Sequence, residues 1–363
     1  MGQLTCPIPQ PSECPDRVDR VKMPTANEVL VFAGVGQQLT RERRDLPQLA
    51  AGEALVRIEA CGVCGSDLFL RSGGFGLDKF PVVPGHEASG RVEAVGDAQD
   101  RGWIGRQVAL YYIDAPEDGE WTRRGAINIG PEVVRMGVDV DGGFARYIIR
   151  PVRTLIAVEP EMDPAQVAVC TDALATPFHA LTAIANVRSG ERVVVIGPGG
   201  VGSNAVQIAR YLGADVTVVG RSQAKLDQAL ELGASTALRA DLGETALREA
   251  VGGNADVVVE CTGHPSMARF AVDLAGYRAR VVLIGASIEP FTVSAGELIW
   301  REMSLMGSRG FTPAEIRSVL DLVRQGQLTT DHLTNDQRSW RQAEEAFADL
   351  ESGRTARSVL LMD

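Results

Sequence analysis

The stretch "VVVIGPGGVGSNAVQIAR", residues 193–210, decides one of the two halves of the fold. An apolar, β-branched run stops at Gly197, and a helical pattern begins near Val201. Between them Gly197, Gly199 and Gly202 stand in G-x-G-x-x-G spacing. Glycines so placed allow a tight strand-to-helix turn, let backbone approach a pyrophosphate, and let helix pack closely on strand. The helix N-terminus then offers free N–H groups to the anion. Gly197, Gly199, Gly200, Val201 and Gly202 are therefore candidate cofactor-binding residues. A glycine-rich turn without a ligand is the competing reading, and the strand-before, helix-after context argues against it.

The chain alternates beyond this turn. Strand "VTVVG" (216–220), helix "SQAKLDQALELG", strand "DVVVEC", helix "SMARFAVDLAG" and strand "RVVLIG" follow in order. Repeated βα units with fully apolar strands predict a doubly wound parallel sheet with helices on both faces. An acid normally ends the second strand and binds the ribose 2′-hydroxyl of NAD. Here Gly220 holds that position, and Arg221 follows. Without a carboxylate to repel it, a 2′-phosphate could pair with Arg221, so NADP(H) is favoured over NAD(H). If Arg221 only stacks on the adenine edge, NAD remains possible.

Before residue 156 the pattern is different. Short β-prone stretches, among them "EVLVFAG", "EALVRIEAC", "SGRVEAVG" and "FARYIIRP", recur between glycine-rich turns and predict a mainly β unit resembling a distorted barrel. The expected class is thus α/β with two domains. No internal repeat or low-complexity tract is found.

Bulk composition narrows the functions. With 363 residues, 45% hydrophobic and 23% charged, the chain suits a soluble globular protein of two cores. A net charge of -11 argues against a nucleic-acid partner. No apolar run is read as approaching the roughly 18–20 residues of a membrane helix, so no membrane partner is expected. Six cysteines at positions 6, 14, 61, 64, 170 and 261 are too scattered for a disulfide framework, which predicts a cytoplasmic location. Residues 1–26, rich in proline and polar side chains, are read as a flexible N-terminal extension.

Two further motifs, "GVCGSD" (62–67) and "GHEASGRV" (85–92), precede the nucleotide turn. In this order the three resemble the zinc-dependent alcohol dehydrogenases of the medium-chain dehydrogenase/reductase superfamily, over residues 27–363. The resemblance implies a GroES-like β-barrel catalytic domain (27–178), a Rossmann dinucleotide-binding domain (179–306) and a C-terminal completion of the catalytic domain (307–363). It implies one catalytic zinc held by Cys64 and His86, with Asp67 orienting the imidazole and Glu87 an acidic neighbour. The family's third ligand falls six residues before the aromatic Phe178, at Asp172. Cys170 is the alternative; two positions apart on an α-helix the side chains point about 200° from each other, so only one can face the metal. By the same resemblance Ser66 would take the substrate's proton, Thr176 would support the nicotinamide, and Arg357 would contact the cofactor phosphates. Cys61 would pack in the core.

Two departures qualify this. Phe69 stands where the family commonly has a relay histidine, and the stretch from Tyr111 to Gly143 lacks the four cysteines of a structural zinc, so that second zinc is expected to be absent. The expected activity is hydride transfer between an alcohol or carbonyl and NAD(P)(H), in a homodimer or homotetramer assembled through "ELIWREMSLMGS" (297–308). A zinc-free reductase of an enone or quinone and a non-catalytic nucleotide-binding protein are the rival functions.

Overall fold

The computed structural model describes residues 24–252 and 254–362. Most of the expected N-terminal extension lies outside these residues.

The nucleotide half is a six-stranded parallel sheet. In spatial order its strands are Thr236–Arg239, Asp215–Gly220, Arg192–Ile196, Ala255–Glu260, Ala275–Leu283 and Ser304–Gly307. Numbered along the chain, that order is 3-2-1-4-5-6, the doubly wound arrangement that opens a crevice beside its first strand. Val193, Val195, Val218, Val257 and Val259 are fully buried, as strands covered by helices on both faces require. Two elements were not legible in the sequence: the edge strand Thr236–Arg239, which has no fully buried residue, and the helix Glu244–Ala250.

The barrel half is a seven-stranded, largely antiparallel sheet. Its centre is Glu53–Val63, flanked by Glu87–Val95 and by Ser358–Leu361, with Tyr147–Pro151 pairing along the same strand. Ser358 sits opposite Val63 and Leu361 opposite Ala60, so the far end of the chain completes the early sheet. Cys61 lies on this central strand, fully buried with Phe144 and Val83, as expected.

The helix Pro164–Ile184 joins the halves, and it corrects one expectation. At 21 residues and mean hydropathy 1.4 it is long and apolar enough to cross a bilayer by length and composition. The interruptions at Asp172, Pro177 and His179 hid it from a search for an unbroken apolar run. Within the fold, 78% of its most apolar stretch is buried. One core runs from Ala60, Tyr111 and Ile156 of the barrel, past Val169 and Leu181 of this helix, to Val195 and Ile208 of the nucleotide half. Two of its turns, Cys170–Leu174 and Ala180–Ile184, are π-helical rather than α-helical.

Candidate metal and nucleotide site

Cys64 caps the helix Gly65–Arg71, which leaves the central barrel strand at Val63. Its Sγ accepts from the N–H of Ser66 at 3.5 Å, while its own N–H donates to Asp67 Oδ2 at 2.9 Å. Asp67 has a second task. Its Oδ1 lies 3.2 Å from His86 Nδ1 and also accepts from the Gly85 N–H. A carboxylate can only accept, so Nδ1 carries a hydrogen and Nε2 is the nitrogen turned toward Asp172. One buried side chain thereby holds both the Cys64 backbone and the imidazole.

Asp172 meets them from the π-helical turn. Its Oδ2 lies 3.6 Å from Cys64 Sγ and 3.8 Å from His86 Nε2, and its Oδ1 accepts from the Thr176 hydroxyl at 2.7 Å. Cys170 goes elsewhere: it is fully buried among apolar side chains, which push its thiol up. Single π turns occur most often at functional sites. The ligand-type atoms of Cys64, His86, Glu87 and Asp172 all lie within 4.8 Å of one another, and all four residues are buried. Sulfur, imidazole and carboxylate at such separations fit a tetrahedral zinc with one position to spare.

Glu87 is fully buried. Its carboxylate lies against Gly62, where an added Cβ would come within 2.1 Å of Oε2. The glycine between the two cysteine-bearing positions therefore makes room for an acid, a requirement that the sequence reading missed. Arg357 Nη1 pairs with Glu87 Oε1 at 2.7 Å. Burial raises the Glu87 carboxyl well above its usual range, even against that guanidinium. Burial also works against a Cys64 thiolate, but the charges of Arg357 and His86 outweigh it and hold the thiol below its ordinary value. Asp172 is likewise held low: its burial is more than offset by His86 and Arg357.

Arg357 thus belongs to the cluster as much as to the cofactor site. It is 2% exposed, and a Cβ on Gly200 would meet its Nη2 at 2.9 Å and its Nε at 3.1 Å. The guanidinium lies between the carboxylate of Glu87 and the turn expected to hold the phosphates. Ser66, half-buried, is the second residue of the capped helix. Phe69, at the place of the relay histidine, stacks edge-on against Phe75 with ring centroids 4.9 Å apart. Tyr112, which the sequence reading passed over, lies edge-on to the His86 ring at 5.6 Å.

The nucleotide turn opens into a cavity of about 800 Å³. Gly197 adopts φ 89°, and a Cβ on Gly202 would meet the Gly197 carbonyl at 2.0 Å; the turn and the close helix approach both exclude side chains here. Gly199 lines the cavity, as do Gly220, Arg221, Ser222 and Lys225 at the end of the second strand. The acid in that lining, Asp241, is paired with Arg239. His264, which the sequence reading assigned no role, caps the helix Pro265–Leu274 and lines the same cavity.

Comparison with known proteins accords with this geometry. The family pattern described as "Alcohol dehydrogenase GroES-like domain" matches residues 50–160, and the one described as "Zinc-binding dehydrogenase" matches residues 200–325. The L-galactonate-5-dehydrogenase of Escherichia coli K12 is 30% identical over 81% of this chain and 87% of its own length. Sorbitol dehydrogenase 2 of Saccharomyces cerevisiae is 30% identical over 89% of this chain and 94% of its own. The chain belongs to the zinc-dependent alcohol dehydrogenases of the medium-chain dehydrogenase/reductase superfamily.

Structural similarity to this dehydrogenase family extends over both halves. An alcohol dehydrogenase of E. coli CFT073, complexed with NADH, superposes with a TM-score of 0.86 at 25% identity, covering 93% of this chain and 100% of that one. A zinc-binding dehydrogenase of Sinorhizobium meliloti, bound to NADP, gives 0.85 at 25% identity with the same coverage. As in the sequence-based expectation, this dehydrogenase combines a GroES-like barrel with a Rossmann sheet.

Proposed function

We propose that the protein is a cytoplasmic NAD(P)-dependent alcohol dehydrogenase or carbonyl reductase with a single catalytic zinc on Cys64, His86 and Asp172. The convergence of those three side chains within 4.8 Å carries the reading. Domain limits near residues 27, 178 and 306 accompany it, with the C-terminal segment returned to the barrel. When bound, zinc would supply Lewis acidity toward the substrate oxygen, and the nicotinamide the hydride acceptor or donor.

The chain's own residues set up the rest. Asp67 keeps the His86 hydrogen on Nδ1, so that Nε2 faces the cluster. Thr176 donates to Asp172 and fixes which carboxylate oxygen faces Cys64. Arg357 balances Glu87, so that the acid adds no net charge beside the ligands. Ser66 is the hydroxyl placed to exchange the substrate's proton. With Phe69 in place of the usual relay histidine, the onward route from Ser66 would run to solvent, and a bound cofactor would supply its ribose hydroxyl as an acceptor.

For the cofactor, NADP(H) is favoured. Arg221 and Lys225 both line the cavity end where the second strand stops at Gly220, and no acid stands at that strand end. Relatives of known structure carry NADH in one case and NADP in another. Arg221→Ala is expected to raise KM for NADP at least tenfold and KM for NAD far less, because a guanidinium–phosphate contact contributes about 1.5–3 kcal/mol. Equal changes for both cofactors would count against it.

The experiment for the whole reading is metal analysis of the purified protein alongside turnover. One zinc per chain, lost together with activity in Cys64→Ala, is the expected result. A zinc-free reductase would retain activity without metal. A nucleotide-binding protein without catalysis would bind NADP and turn over no alcohol, ketone or enone.

A further inference from the structure

The segment around Phe311, packed on the aromatic side chains beside the metal cluster, carries a charge without a partner among the described residues. Phe311 packs on both Tyr111 and Tyr112, with centroids at 5.9 and 5.5 Å, and Tyr112 in turn packs on His86. A Cβ on Gly310 would lie 3.1 Å from the Tyr112 hydroxyl. Arg309 immediately precedes this contact. Its carbonyl accepts from Asn128 Nδ2 at 2.7 Å, which anchors the backbone to the cysteine-free lobe. The positive charge of Arg309 is felt at both tyrosine hydroxyls.

Several other charges near these aromatic side chains have partners within the chain. Arg135 makes a two-bond pair with Asp139, at 2.7 and 3.0 Å, and lies over the Phe75 ring at 4.8 Å. Lys79 joins the same Asp139 and also Asp78. Glu315 is 2.8 Å from His179 Nδ1 and takes the hydroxyl and N–H of Thr312. Glu87 is matched by Arg357. Arg309 is exposed and has no side-chain hydrogen bond or ion pair among the described residues. In a chain with 47 acids against 36 lysines and arginines, a cation left without an acid beside the aromatic side chains that pack on His86 is available to an external partner.

We propose that the substrate alcohol carries a carboxylate close to its reacting carbon, and that Arg309 is the residue that binds it. This rests on the dehydrogenase reading above and adds the substrate class. A planar guanidinium presents paired donors to a carboxylate. One unanswered positive charge suits one negative charge, whereas a phosphate monoester would bring nearly two. Tyr112, whose hydroxyl lies 3.1 Å from where a Cβ on Gly310 would stand, provides a second donor beside it. Polyhydroxy acids of the aldonate type fit these requirements, and their neutral alditol counterparts leave Arg309 unused.

The test uses zinc-loaded enzyme with cofactor, an aldonate, its primary amide and the phosphate monoester of the matching alditol. The aldonate is expected to exceed its amide in kcat/KM by about tenfold or more, with the difference in KM. In Arg309→Gln that ratio should fall to near one, and in Arg309→Lys part of it should return. Zinc content and melting temperature report whether each variant folds. A ratio near one in the unaltered enzyme, a ratio untouched by Arg309→Gln, or a preference for the phosphate ester that Arg309→Gln abolishes would each overturn the proposal. If neither aldonate nor amide is turned over, the dehydrogenase assignment fails separately. Calorimetric titration of the enzyme–NADP complex with aldonate and amide then decides this inference: tighter aldonate binding, lost in Arg309→Gln, supports it, and equal binding overturns it.

Discussion

Asp172 and Cys170 stand two positions apart, yet one faces a polar cluster and the other an apolar core. Asp172→Ala is therefore expected to lose zinc and activity together, whereas Cys170→Ala should keep both, at a cost of about 1–2 kcal/mol in stability for the vacated volume. Zinc analysis and thermal unfolding of the pair check this. His332 offers a prediction of another kind. Both of its ring nitrogens are buried without a partner, and burial pushes its pKa down to about 4, against a smaller upward pull from Asp331. The unfolded chain takes up that proton near pH 6.5, so between about pH 6.5 and 4 unfolding binds more protons and stability falls as pH falls. The loss attributable to this residue is about 3 kcal/mol. His332→Phe should flatten the corresponding stretch of the stability–pH curve; an unchanged slope would refute the assignment. Cys64, His86 and Asp172 were legible as candidates because local motifs carry them. Arg309 and Gly62 were not, since each acquires meaning only from side chains distant in sequence: Tyr112 and Asn128 in one case, Glu87 in the other.

The short helix Gly65–Arg71 shows how an element can do a residue's work. Asp67 caps it and also holds His86, so Asp67→Ala should cost about 1 kcal/mol of capping and, separately, weaken zinc binding about 10–100-fold. Competition with a chelator measures the second effect and unfolding the first; full zinc affinity would show that the ring needs no such support. Elements with unbroken buried runs, such as Arg192–Ile196 and Ala255–Glu260, could be read directly from their valines. Strand Leu39–Asp45, "LTRERRD", could not, because none of its residues is buried and its partner Ala26–Phe32 supplies the apolar side. The π turn at Cys170–Leu174 was also invisible: helical periodicity indicated that only one of Cys170 and Asp172 would face the cluster, and the family resemblance pointed to Asp172, but no composition signals a hydrogen bond that skips one residue further back.

On the scale of the whole molecule, the strand Ser304–Gly307 leaves one edge of the six-stranded sheet unpaired, and the adjoining helix Ala295–Arg301 presents Ile299 and Trp300 at 69% and 83% exposure. An open edge beside large apolar side chains suits pairing with a second copy. If the protein is a homodimer or homotetramer through this edge, Trp300→Glu should reduce the particle to the mass of one chain in light scattering, with zinc content intact. The division into a barrel and a nucleotide half was legible because the two halves differ in hydrophobic period. How they close on each other was not, because it depends on long-range pairing.

The placement of Ser358–Leu361 against Glu53–Val63, with Arg357 reaching Glu87, also sets an order of events during synthesis. Cys64, His86 and Asp172 emerge from the ribosome early, beside a buried acid whose counter-charge has not yet been translated. The Rossmann unit can fold while the barrel still lacks a staple from the far end of the polypeptide. Metal uptake at this cluster would accordingly follow synthesis of the segment that carries Arg357.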